Sequence, residues 1–232
     1  MRWAELGKFS HIDAYDISKE HVDSAIAAAR AKGCDRVIDY RVADVNKIEV
    51  HENQYDIVLV EQSLHHFTPL EQVLQKIHTF LKPDGYFVVN EFIGPSRFQW
   101  TDRQIQATNG LLAILPVKYR TLWNSRAVKT RAYKPGQLRM LLADPSEAVE
   151  SSRILPVLQE HFDIVEVKGF GGNILHLLFD GIAHHFASPD ADAQDWLSLC
   201  FQIEDQFLAG EKLQNDFVLA ICRKRAGWGR TD

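Results

Sequence analysis

Short apolar runs alternate with helix-like patterns in the first part of the chain. Four strands are predicted there, at residues 11–16, 37–41, 55–60 and 86–91. The third run is nearly all apolar, so we expect this strand to be buried on both faces. A helix is predicted between the first two strands, with Ser18 as its N-cap and Gly33 as its stop. A second helix is predicted to begin near Pro69 and to carry an apolar stripe.

The pattern changes after the fourth strand. Residues 94–160 have a helical pattern broken by prolines, and we interpret them as a helical cap inserted in a single domain that spans residues 1–232. Later elements are predicted at 162–168 (strand), 174–186 (helix), 195–208 (helix) and 216–222 (strand). Strands and helices in this order predict an α/β fold with a mostly parallel sheet covered by helices.

Composition narrows the class of protein. The chain has 232 residues, of which 46% are hydrophobic, and a net charge of −5. A mildly acidic chain is a poor general binder of nucleic acid, because phosphates are neutralised by a basic surface. The three cysteines have no C-x-x-C spacing, which argues against a disulfide framework or a zinc site and favours a reducing compartment. No apolar run approaches the ~20 residues that span a membrane. We therefore expect a cytoplasmic protein with no nucleic-acid and no membrane partner.

Acidic residues stand at or just beyond the ends of the first two predicted strands. Ligands of parallel α/β sheets bind beyond the carboxyl ends of the strands. Asp16 is placed to accept hydrogen bonds from both hydroxyls of a ribose, and the alternative is a charge at the N-terminus of the next helix. Asp44 is placed to accept from an adenine amino group while Val45 covers the ring, and the alternative is an Asx-turn.

A polar cluster follows the third strand, at residues 61–67 (EQSLHHF). His65 or His66 could act as a base or orient a substrate. The alternative for these two side chains is that one caps the next helix and the other packs under it. Glu91, at the end of the fourth strand, faces substrate or is a solvated edge charge, and the sequence does not separate these two interpretations.

A second group of potential metal ligands comprises His176, Asp180 and His184, which are spaced four residues apart. They share one face if this stretch is a single helix, and a metal there is conceivable. Gly181 and the surrounding leucines favour packing instead. We therefore predict no metal site.

Four segments together resemble the class I S-adenosylmethionine-dependent methyltransferases. They are residues 13–18 (DAYDIS), 41–47 (RVADVNK), 55–67 (YDIVLVEQSLHHF) and 81–92 (LKPDGYFVVNEF). The resemblance implies a Rossmann-like sheet with an antiparallel last strand, a substrate cap that begins near residues 91–100, and S-adenosylmethionine as the cofactor. It rests on the order and spacing of the segments, since no single motif is strong alone.

The resemblance also implies roles for individual residues. The cofactor-binding residues are Asp16, Ile17, Asp44, Val45, Glu61 and Gln62; the catalytic residues are His65 and His66; the substrate-binding residues are Glu91, Phe92, Arg97, Trp100 and Tyr133. Methyl transfer from a sulfonium is an in-line displacement, so the protein mainly aligns donor and acceptor and excludes water.

The sequence departs from this family at its start. The family's first strand carries a glycine-rich loop under the methionine part of the cofactor, and no such pattern precedes Asp16. We expect an N-terminally truncated fold that lacks the central strand, either because the chain begins downstream of its natural start or because it descends from a truncated gene. A sheet without that strand leaves unpaired backbone groups, and a missing glycine loop removes a close backbone approach to the ligand.

The function expected from these observations is S-adenosylmethionine-dependent methyl transfer to an oxygen or nitrogen of a small molecule. One alternative is a catalytically impaired or non-catalytic remnant that acts as a binding module. A second is an NAD(P)-dependent oxidoreductase of the same sheet class. A homo-oligomer is compatible with the sequence, because a partner chain could fill the gap in the sheet.

Overall fold

The computed structural model describes residues 2–49, 51–187 and 189–225. The chain divides into two compact units, Met1–His51 and Glu52–Asp232. The first unit contains helix α1 (Arg2–Glu5), strand β1 (Ile12–Asp16), helix α2 (Lys19–Ala31) and strand β2 (Ile38–Val42). β1 and β2 pair in parallel, from Ile12 opposite Ile38 to Asp16 opposite Val42.

The ends of α2 confirm the predicted start and stop signals. Ser18 is the N-cap, and its hydroxyl accepts a hydrogen bond from the His21 backbone N–H at 3.3 Å. Gly33 follows the helix with a φ of +69°, a left-handed conformation that glycine adopts without steric cost. α2 buries Ala29 against Ala4, Cys34 and Ile38, which form the small core of this unit.

The second unit is built on a four-stranded sheet. Its strands are β3 (Tyr55–Glu61), β4 (Leu81–Phe92), β5 (Phe162–Gly169) and β6 (Phe217–Lys224), in the order β3-β4-β6-β5. β3 and β4 are parallel, while β6 runs antiparallel to both of its neighbours. The expected antiparallel last strand is thus confirmed, and the pairing within each unit is that of a Rossmann-like α/β fold.

Helix α3 (Leu70–Phe80) makes the crossover between the parallel strands β3 and β4. Its apolar positions recur at helical spacing and are all buried, as predicted: Leu70, Val73, Leu74, Ile77 and Phe80. Residues 82–85 lie within β4, where the register jumps from Tyr55 opposite Leu81 to Ile57 opposite Tyr86. The strand predicted over 86–91 is therefore longer than expected and contains an irregularity near its start.

The prediction that β3 is buried on both faces is wrong. Among the described residues, β3 pairs with β4 alone and is an edge strand of its sheet. Ile57 is 42% exposed, whereas Val60 is 9% exposed. An apolar run shows that a strand can be buried. The position of the strand in the sheet decides how much of its surface other elements cover.

Helices dominate the rest of the second unit, as predicted for residues 94–160. They are α4 (Asp102–Ile114), α5 (Gln137–Ala143), α6 (Ile154–His161), α7 (Leu175–Phe179) and α8 (Ala191–Ala209). The predicted helix over residues 174–186 is in fact two pieces, because α7 ends at Phe179 and a separate 3₁₀ helix covers Ala183–Phe186. Gly181 lies between them with a φ of +74°. α4, α7 and α8 share an apolar core that includes Leu112 and Leu178.

Cys34, Cys200 and Cys222 are buried and free in the structure. None of the helices in the described part of the chain is both long and apolar enough to cross a membrane.

Candidate functional site

The end of β3 leads directly into the predicted polar cluster. Glu61 is the last residue of β3 and pairs with Asn90 of β4. Gln62 turns the chain with a φ of +47°, and its backbone N–H donates to the Asn90 carbonyl at 2.9 Å. A 3₁₀ helix, Leu64–His66, then presents the two histidines beyond the carboxyl ends of the parallel pair β3 and β4. This is the edge of the sheet where α/β proteins place their ligands.

Glu91 holds this turn in place from the neighbouring strand. Its side chain is completely buried, so it is not a solvated edge charge. Oε2 accepts hydrogen bonds from the backbone N–H groups of Ser63 at 2.9 Å and Leu64 at 2.6 Å. Oε1 accepts from the Phe92 N–H at 2.7 Å and contacts Nδ1 of His65. A buried carboxylate needs several partners, and here all of them belong to the site.

His65 lies between two carboxylates. Its Nδ1 bonds to Glu91, and its Nε2 lies 3.4 Å from Oε1 of Glu147. Burial by itself lowers the pKa of the His65 imidazole, but the hydrogen bond and charge of Glu91, together with the charge of Glu147, outweigh burial and raise the pKa above its usual value. His65 is therefore oriented at one ring nitrogen and faces an anion with the other.

Glu147 is the site residue that sequence reasoning missed. It comes from the loop after α5, and its Oε2 lies 3.9 Å from Nε2 of His66. The loop is anchored to the histidine turn, because the Val149 N–H donates to the His65 carbonyl at 3.2 Å. Nothing in the local pattern around Glu147 distinguishes it from a surface charge, so only the fold reveals its place.

The predicted substrate residues occupy different environments. Arg97 is close to the cluster, since its Nη1 donates to the Glu147 carbonyl at 3.2 Å. Phe92 is 2% exposed, and its ring centroid lies 6.3 Å from that of His65. Trp100 is also buried and stacks on Phe98, with centroids 5.0 Å apart. Among the described residues, no contact links Tyr133 to this cluster. Its side chain is exposed and lies beside Arg131.

An aromatic cluster continues from Phe92 to His176. The His176 ring lies 5.7 Å from Phe92, 5.9 Å from Trp100 and 5.4 Å from Phe217, measured between centroids. Its Nδ1 is buried without a hydrogen-bond partner in the structure, and burial lowers the pKa of the imidazole. His176 is therefore a neutral, apolar-packed histidine on this side of the site.

The alternative metal group at His176, Asp180 and His184 is not assembled. Its members lie on α7, on the residue after it, and on the separate 3₁₀ helix, so the common helical face does not exist. Within the described ranges, the group of three such residues whose ligand atoms meet is His65, His66 and Glu147.

The first unit places its two candidate carboxylates at the same end of β1 and β2. Oδ1 of Asp16 accepts from the Ser18 N–H at 2.7 Å, and Oδ1 of Asp44 accepts from the Asn46 N–H at 2.9 Å. The contacts expected from the two alternative interpretations are thus present: Asp16 lies at the N-terminus of a helix, and Asp44 forms an Asx-turn. The side chains remain 47% and 27% exposed; Oδ2 of Asp16 lies 3.7 Å from Nδ1 of His21, and Oδ2 of Asp44 lies 3.0 Å from Nζ of Lys47. Ile17, beside Asp16, is 74% exposed.

Comparison with known proteins gives a family match at the N-terminal end. Residues 1–89 match the model of a family described as "Methyltransferase domain". The mitochondrial 2-methoxy-6-polyprenyl-1,4-benzoquinol methylase of Bos taurus is 30% identical over 83 residues, which are 36% of this chain and 25% of that protein. The chain spans between 17% and 41% of the length of the curated relatives that it matches.

Solved structures show the fold of almost the whole chain. The [4+2]-cyclase SpnF has a TM-score of 0.54 at 17% identity, over 97% of this chain and 70% of that one. Geranyl diphosphate methyltransferase, in complex with S-adenosylmethionine, has a TM-score of 0.52 at 11% identity, over 97% and 73%. Residues 1–89 therefore match a methyltransferase domain, and almost the whole chain shares its fold with these solved structures.

Proposed function

We propose that the chain transfers a methyl group from S-adenosylmethionine to an oxygen or nitrogen of a small molecule. The observation that carries this proposal is the His65–Glu91 pair, placed beyond the carboxyl ends of two parallel strands. The match of residues 1–89 to a methyltransferase domain supports the cofactor, and the methylase relative and the geranyl diphosphate methyltransferase are both named for small-molecule acceptors.

The histidine turn has the features of an acceptor-side site. S-adenosylmethionine supplies an activated methyl group, so the chain has to orient the acceptor and remove its proton. Glu91 fixes the His65 ring through Nδ1, which directs Nε2 toward the solvent-facing Glu147. In this proposal His65 takes up the acceptor proton, His66 orients the acceptor, and Glu91 is a positioning residue. Phe92, Arg97, Trp100 and Tyr133 remain candidates for substrate contacts.

The candidate cofactor residues fit the polar groups of a nucleoside. Asp16 and Asp44 have partly exposed carboxylates at neighbouring strand ends, which suit ribose hydroxyls and an adenine amino group. Ile17 and Val45 flank them with apolar surface. Glu61, at the end of β3, and Gln62, which follows it, stay predictions as cofactor contacts.

Calorimetric titration of the full chain with S-adenosylmethionine, and with its demethylated product, tests the cofactor assignment. We expect micromolar binding, which corresponds to about −8 kcal/mol. Asp16→Ala should weaken it at least tenfold, since a ribose loses a bidentate acceptor. Asp23→Ala, which removes an exposed carboxylate on α2, is the matched control and should leave the affinity unchanged.

Failure to bind either compound would favour the alternative of a non-catalytic, methyltransferase-like binding module. An absorbance change with a nicotinamide cofactor would favour an oxidoreductase instead. A cytoplasmic location, the absence of a nucleic-acid partner and a possible homo-oligomer stay predictions.

A further inference from the structure

Three potential ligand atoms converge at the histidine turn. They belong to His65, His66 and Glu147, and all lie within 4.8 Å of one another. Nε2 of His65 is 3.4 Å from one oxygen of Glu147, and Nε2 of His66 is 3.9 Å from the other. In a tetrahedral zinc site, bonds of about 2.0–2.1 Å separate neighbouring ligand atoms by about 3.4 Å. The first distance already has that value, and the second, to the other oxygen of Glu147, is longer.

Both histidines are oriented by an oxygen at the opposite ring nitrogen. Nδ1 of His65 contacts the buried Glu91 carboxylate, and Nδ1 of His66 lies 3.3 Å from the Ser146 hydroxyl. Metal-binding histidines in proteins have this arrangement, in which the outer oxygen fixes the ring and leaves the other nitrogen as the ligand. Here both Nε2 atoms are directed toward Glu147.

The carboxylate of Glu147 is not neutralised by Arg97, because Nη1 of Arg97 donates to the backbone carbonyl of Glu147 at 3.2 Å. The polar atoms that face this carboxylate are Nε2 of His65 and Nε2 of His66. Imidazole nitrogens and carboxylate oxygens are both ligands of transition-metal ions, and a metal displaces the proton of the nitrogen that it binds.

We propose that His65, His66 and Glu147 bind a divalent transition-metal ion. Two imidazoles and one carboxylate suit zinc or iron, whereas magnesium and calcium prefer oxygen ligands alone. The side chains of His66 and Glu147 are 33% and 24% exposed, so solvent reaches the ligands. Three protein ligands leave an open position for water or for an oxygen or nitrogen of a substrate.

This inference goes beyond the proposed methyl transfer, because ion binding by the cluster does not require the cofactor. If both hold, the ion would lower the pKa of a hydroxyl bound at its open position, and solvent water would take the released proton. His65 would then be a ligand of the ion and not the proton acceptor.

Zinc binding by the metal-stripped full chain tests the site. We expect isothermal titration with zinc chloride to show one ion per chain. His66→Gln and Glu147→Gln each remove a ligand from a partly exposed position and should weaken binding at least tenfold. Glu91→Gln should weaken it about 10–100-fold through the loss of ring orientation. Cobalt-loaded protein should show visible absorption bands that the two ligand variants lose.

His184→Gln is the matched control. His184 is exposed and stands in another adjacent pair, with its ring centroid 3.9 Å from that of His185, so the control detects adventitious binding by histidine pairs. It should leave the zinc affinity unchanged. The proposal is overturned if the chain binds no zinc, or if His66→Gln and Glu147→Gln bind it as tightly as the unchanged chain. A chain that binds S-adenosylmethionine but no zinc keeps the proposed function and loses only the metal site.

Discussion

At the residue scale, one buried carboxylate organises the candidate site. Glu91 accepts hydrogen bonds from the Ser63, Leu64 and Phe92 backbone N–H groups and contacts His65. The same side chain therefore ends a strand, fixes the following turn of the neighbouring strand, and sets the direction of an imidazole. Stability and site geometry depend here on the same atoms.

Glu91→Gln should lower the free energy of unfolding by about 1–3 kcal/mol. An amide offers one acceptor oxygen in place of two, so at least one buried N–H loses its partner. Urea denaturation monitored by circular dichroism measures the change. Glu166→Gln, at an exposed position of β5, is the control and should stay within about 0.5 kcal/mol of the unchanged chain. Equal stability of the two variants would contradict the role assigned to Glu91.

A second buried carboxyl, Asp216, makes stability depend on pH. It is 4% exposed, and Oδ2 accepts a hydrogen bond from Nε2 of Gln104 at 2.9 Å. Burial raises its pKa from 3.8 to about 7, and the nearby charge of Glu204 acts in the same direction. Between these two values the folded chain holds a proton that the unfolded chain has lost.

Folding therefore takes up a proton at Asp216 in this window. The contribution of this group to stability is complete below pH 3.8 and is lost as pH rises toward about 7, by about 4 kcal/mol in total. The Asp216 carboxyl should make the urea midpoint fall as pH rises from 4 to 7. Asp216→Asn should remove this part of the pH dependence. Asp205→Asn, at an exposed position of α8, should keep it. An unchanged slope in Asp216→Asn would show that the carboxyl is ionised in the folded chain.

At the element scale, α3 and β3 both have apolar sequences, but the two elements are buried to different extents. The apolar stripe of α3 is buried along its length, as its helical period predicts. The apolar run of β3 is only partly buried, because among the described strands only β4 pairs with it. The sequence of a helix shows which of its faces will be buried, whereas the burial of a strand depends on the strands that pair with it.

Leu74→Ala, in the middle of the α3 stripe, should cost about 2–5 kcal/mol of stability. Leu74 is completely buried, and its truncation leaves a cavity that the surrounding core cannot fully close. Chemical denaturation gives the value. The matched control is Leu138→Ala on α5, where the side chain is 71% exposed and the loss should be small. Similar losses at both positions would show that α3 is not packed as described.

At the scale of the whole molecule, the fold and the reaction have to be established separately. The fold is shared with a methyltransferase and with a [4+2]-cyclase, at 11% and 17% identity, so the fold by itself does not determine the reaction. The reaction has to be argued from the site. The zinc titration tests the proposed metal site at His65, His66 and Glu147. The cofactor titration independently tests the candidate nucleoside contact at Asp16.

The sequence by itself determined the elements whose signals are local. Ser18 and Gly33 delimit α2, and the end of β1 at Asp16 follows from a short apolar run. The order of the elements was enough to indicate a resemblance to methyltransferases, because spacing along the chain reflects the succession of strands and crossovers. Caps and periodicity act over a few residues, so they can be interpreted without knowing the fold.

Tertiary structure decided what depends on distant partners. Glu147 lies beside His65 only because the loop after α5 is bonded to the histidine turn. The helix is interrupted at Gly181, so His176 and His184 do not share the helical face that their spacing in the sequence predicted. Burial of Glu91 turned an ambiguous edge charge into the anchor of the site. These contacts join segments far apart in sequence, and no local pattern encodes which segments will meet.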